Sequence, residues 1–126
     1  MTPCCRIRHW LVALATAFAM LAANVCFAHA VVVNSTPRNG EALRTPPQQI
    51  ELRFNVRIEQ SFARASLRSD GSEALTLKPA ASSVAQSERL VIPLPALRSG
   101  EYELRYKVLA TDGHTTEGVL RFRVLP

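Results

Sequence analysis

Beyond residue 28 the chain has no cysteine, no methionine and no tryptophan; Cys4, Cys5, Cys26, Met1, Met20 and Trp10 account for all of these residue types. The 98 residues from His29 onward can therefore form no disulfide, and they must be stabilised by packing and strand pairing alone. They also carry no thiolate or thioether, the soft donors that many metal sites use. Long apolar runs are missing too. The longest, residues 11–23, has 13 residues, short of the roughly 20 that a membrane-spanning helix needs. No basic cluster is interleaved with aromatics, which excludes a nucleic-acid-binding surface. Two of the 15 basic residues, Arg6 and Arg8, precede His29, leaving 13 against 10 acids and a net charge of +3. The remaining Arg and Lys alternate with apolar residues and read as a solvated face.

What is present at the start is a targeting pattern. Arg6 and Arg8 with no acid, then the apolar run, then Cys26-Phe27-Ala28 with a small residue at each end describe a secretory signal peptide. The expectation is a signal over residues 1–28, cleavage before His29, and export of the remainder. One domain then occupies residues 29–126, a size that suits a small sandwich.

Within that domain, short runs of alternating polarity recur at intervals typical of an all-β fold. Seven strands are predicted, at 30–35, 49–56, 63–69, 74–78, 88–93, 101–110 and 117–124. Ile50, Leu52, Phe54 and Val56 share one face, opposite Glu51, Arg53 and Asn55. Tyr102, Leu104, Tyr106 and Val108 share another, as do Leu120, Phe122 and Val124. Turn chemistry separates the runs: Asn39-Gly40 in a tight bend, Asp70-Gly71 as a hairpin, and Ser99-Gly100 before the longest strand. No segment shows a helical stripe. Two packed antiparallel sheets follow, with a closed barrel as the alternative.

Only two histidines remain after residue 28. One opens the domain; the other lies in Asp112-Gly113-His114, after the longest strand. In extended backbone, residues two apart share a face, so Asp112 and His114 can converge on one ion. Taken alone, an Asp-Gly-His segment is first a turn, and a histidine near a processed terminus is incidental. Together they suggest more. A terminal histidine offers its α-amine and its ring Nδ1 to one metal. Such groups titrate near 7.7–8.0 and 6.5 as classes, so both can surrender a proton to a metal near neutral pH. With the imidazole of His114 and an oxygen of Asp112 the set is three nitrogens and one oxygen. Tetragonal N/O sites suit Cu(II), which also heads the divalent affinity order; Zn(II) would take the same donors tetrahedrally.

From end to end the domain resembles the CopC family of periplasmic copper resistance proteins. The resemblance rests on His29, Asn34-Ser35-Thr36-Pro37 followed by Gly40, and Ile50-Glu51-Leu52-Arg53-Phe54. It continues through Gly100-Glu101-Tyr102, Asp112-Gly113-His114, Gly118 and Phe122-Arg123-Val124. It implies a cupredoxin-like or immunoglobulin-like Greek-key β-sandwich and one Cu(II) ion held by His29, Asp112 and His114. It also implies a periplasmic carrier or buffer that passes copper to a CopD-like inner-membrane transporter; the expectation is a monomer that is not an enzyme. Several positions depart from relatives. Val31 stands where many have a second histidine, the place of a frequent glutamate falls near Val56, and Tyr106 replaces a common tryptophan. Without methionine, the second, Cu(I) site of some relatives is not expected. Two other readings stay open at this stage. One is an oxidative copper enzyme built on a terminal histidine; the other is a metal-free immunoglobulin-like interaction module.

Overall fold

Alternating strands with one apolar face can bury that face only against a second sheet, and the chain does so. The structure, a computed structural model, describes residues 29–81 and 87–126. The expected signal peptide and its cleavage lie outside the described residues. Among the described residues eight strands run in chain order as β1 (Val32–Thr36), β2 (Glu41–Leu43), β3 (Gln49–Phe54), β4 (Arg64–Ser69), β5 (Leu75–Leu77), β6 (Arg89–Pro93), β7 (Gly100–Leu109) and β8 (Thr115–Val124). One sheet has the order β1-β3-β6, the other β2-β8-β7-β4-β5, and the chain crosses between them repeatedly. This is the expected all-β Greek-key sandwich.

All seven expected strands are present. The eighth, β2, is three residues long and pairs parallel to the end of β8, with Glu41 opposite Phe122 and Leu43 opposite Val124. A strand that short cannot show alternation. Its pairing is set up by the Asn39-Gly40 bend. Gly40 takes a φ of 81°, a left-handed angle that favours glycine. Its N–H donates to Arg121 O at 2.7 Å, while Asn39 Oδ1 accepts from Arg121 N at 2.9 Å.

The core lies between the sheets and follows the registers. Ile50 faces Ile92 and Leu52 faces Leu90 across β3 and β6; Leu104 faces Leu120 across β7 and β8. All four of Ile50, Leu52, Leu90 and Ile92 are fully buried, as are Leu104 and Val108, and among the described residues no polar or charged residue is buried with them. Each such side chain contributes about 1.5–3 kcal/mol by leaving water. Across the sandwich Phe54 meets Tyr106 edge to face at 5.9 Å.

The β7–β8 ribbon is the longest feature, ten residues on each strand. At its Gly100 end Tyr102 stacks on Phe122 at 5.3 Å. The Tyr102 hydroxyl reaches back to donate to Arg98 O at 2.9 Å, a tyrosine corner. Midway, Tyr106 faces Gly118, and its ring occupies the space a Cβ at 118 would need. At the outer edge of the smaller sheet, β1 is bulged between Val32 and Asn34, leaving Val33 60% exposed.

Candidate metal centre

At the other end of the ribbon, residues 110–114 turn the chain. Ala110 N–H donates to His114 O at 2.8 Å, and Gly113 N–H donates to Ala110 O at 2.9 Å. With Gly113 at a φ of 90°, this is the three-residue hairpin in which a β-turn is followed by a left-handed residue. Asp112 tightens it, since its Oδ1 accepts from His114 N at 3.0 Å. The segment after β3 supports the turn from the side. Ile58 bridges Ala110, and Arg57 O accepts from Thr111 N at 3.1 Å.

The three predicted site residues gather at this end. His114 Nδ1 lies 3.3 Å from Asp112 Oδ1. The ring of His29 stands edge to face with that of His114, centroids 5.8 Å apart and planes at 80°. Ala30, buried to 1% exposure, holds the lead segment against the fold. The Asp112 carboxyl is held below its ordinary range. The main cause is the bond from the His114 backbone N–H; partial desolvation opposes it, and the His114 ring and the charge of His29 add to it. An ionised carboxylate beside two imidazoles is a hard oxygen next to borderline nitrogens, a mixture suited to a divalent first-row ion. Among the described residues, no three His, Cys, Asp or Glu side chains converge closely enough to hold a metal as they stand. The proposed fourth donor, the α-amine of His29, is not a side chain.

Sequence reasoning missed Asn55 at this end. Read there as an outward polar residue of β3, it instead accepts from Val31 N at 2.7 Å through Oδ1. The available signal was an asparagine, a residue suited to such backbone bonds, at the end of an alternating run.

The two-sheet sandwich, with His29, Asp112 and His114 at one end, is that of a small all-β domain. The family model of the CopC domain matches residues 32–125, and the chain belongs to the CopC family. It is 29% identical over 99 residues to Protein YobA of Escherichia coli (strain K12), covering 78% of this chain and 80% of that one. Copper resistance protein C of Pseudomonas syringae pv. tomato is 28% identical over 111 residues, covering 83% of this chain and 87% of that one. The crystal structure of CopC from Methylosinus trichosporium OB3b shares the fold, with a TM-score of 0.73 at 24% identity over 78% of this chain and 95% of that chain. CopC-family members are periplasmic copper resistance proteins that bind copper and are not enzymes, so the protein has a copper-related function. The oxidative-enzyme reading is thereby set aside.

Proposed function

We propose that the mature protein begins at His29 and carries or buffers one Cu(II) ion in the periplasm. The ion is held by the α-amine and Nδ1 of His29, by His114 and by Asp112. The observation that carries this reading is the meeting of His29 and His114 at 5.8 Å beside Asp112. His114 would supply one imidazole nitrogen and Asp112 one carboxylate oxygen, which with the two nitrogens of His29 makes three nitrogens and one oxygen. The absence of methionine after residue 28 removes thioether donors for Cu(I) and supports a single Cu(II) site. A CopD-like membrane transporter is the proposed recipient, and the carrier acts as a monomer.

Intact mass of the protein recovered from the periplasm with copper bound tests the cleavage point and the stoichiometry together. The expected mass is that of residues 29–126 plus one copper. A chain starting at any other residue sinks the terminal-amine site.

A further inference from the structure

We propose that Asn55 is a positioning residue that sets the reach of His29 into the copper site; this rests on the site reading above. In the antiparallel register Val32 faces Phe54, so Val31 and Asn55 form the next pair. In a regular ladder a hydrogen-bonded pair exchanges two backbone bonds. One is present: Asn55 N–H donates to Val31 O at 3.0 Å. The reciprocal bond, from Val31 N–H, goes to the Asn55 side chain, Oδ1, at 2.7 Å. Asparagine suits this place because its short amide can stand in for a backbone carbonyl.

The substitution is needed because β3 leaves the ladder here. Residues 55–56 bend, Arg57 O takes up Thr111 N–H, and Ile58 bridges Ala110. Four consecutive residues, 55–58, thus grip the lead segment at one end and the 110–114 hairpin at the other. They register His29 against His114. In the mature form proposed above, His29 and Ala30 alone precede the Asn55 clamp, and two residues span at most about 7 Å. Without the side-chain bond, Val31 keeps only the Asn55 N–H on its carbonyl, its own N–H is released, and the segment ahead of it must be ordered each time the metal binds.

Cu(II) affinity is measured by chelator competition on the exported protein and on the same protein with a methionine ahead of His29. Each form is tested with Asn55, Asn55→Ala and Asn55→Asp. In the free-terminus form, Asn55→Ala weakens Cu(II) binding about tenfold, the cost of ordering one further residue. Asn55→Asp, which keeps the acceptor, restores affinity to within about threefold of wild type. The methionine-capped form binds more weakly and does not depend on residue 55. If the alanine variant fails to fold, Asn55→Leu, close in shape but with no acceptor, gives the same comparison. Faster amide exchange at Val31 in the metal-free variants accompanies the affinity loss.

Unchanged affinity of Asn55→Ala in the free-terminus form overturns the proposal and leaves the site intact. An equal loss in the capped form also overturns it, because the role is then general to the fold. Equal affinity of capped and free wild-type protein overturns the site reading itself, and the positioning role with it.

Discussion

The two ends of the β7–β8 ribbon solve different problems with the same strands. At the Gly100 end the polar and aromatic groups are consumed by the fold: Tyr102 stacks on buried Phe122 and its hydroxyl closes a corner on Arg98. At the Leu109 end backbone bonds close the hairpin, Ala110 with His114 and Gly113 with Ala110, and the Asp112 carboxylate adds a bond from His114 N–H. The imidazole of His114 makes none of these bonds. One end commits its aromatic side chains to stability; the other carries the residues proposed to hold copper. Mutations at the two ends should accordingly separate folding from metal binding.

The largest effect is expected at the Gly100 end. Phe122→Ala removes a ring that is 3% exposed, and large-to-small changes of this kind cost about 3–5 kcal/mol. Denaturant unfolding of the metal-free protein reads this loss. If Phe122→Ala is as stable as wild type, the division of labour between the ends is wrong.

At the opposite end, His114→Ala should reduce Cu(II) affinity at least about a hundredfold, since even outer-shell partners of metal ligands are worth about 10–100-fold. Stability without metal should change by no more than about 0.5 kcal/mol, as at other solvent-facing positions. Chelator competition and metal-free melting on one preparation check both halves. A large drop in metal-free stability would show that the imidazole supports the hairpin after all.

The smallest effect concerns pH. Copper should be released below roughly pH 6 as protons compete for the nitrogen donors, while the metal-free fold persists. Asp112 takes no part in that first loss. Its depressed carboxyl stabilises the folded hairpin above the ordinary carboxylate pKa, and the contribution disappears only as pH falls through its lower folded value. Copper retention measured from pH 8 to 4.5, alongside melting of the metal-free protein, distinguishes the two steps. Constant affinity across that range contradicts the assigned nitrogens.

Much of this architecture was legible before any coordinates. The period-two runs around Leu52, Leu104 and Phe122 identified the buried faces, and Asp70-Gly71 located a hairpin that the structure closes with Ser72 N–H donating to Ser69 O at 3.1 Å. The short β2 was not legible, because its place depends on Gly40 and Asn39 reaching Arg121, 82 residues away for Asn39. Asp112 and His114 could be linked by spacing alone. That His29 meets them is a matter of topology, with β1 and the 55–58 segment returning to the same end. The clamp at Asn55 was hidden because an asparagine on the polar face of a strand has nothing in its sequence context to mark which backbone group it will bind.

The kink at Val33 bears on how the sandwich from His29 onward, which has no cysteine, guards its open edge. A bare sheet margin invites a neighbouring molecule to extend it strand upon strand, the first step towards fibres. By swinging one residue out of register, β1 interrupts the row of donors and acceptors that such a neighbour would need to match. The open margin of the smaller sheet thus discourages polymerisation with a single misaligned valine.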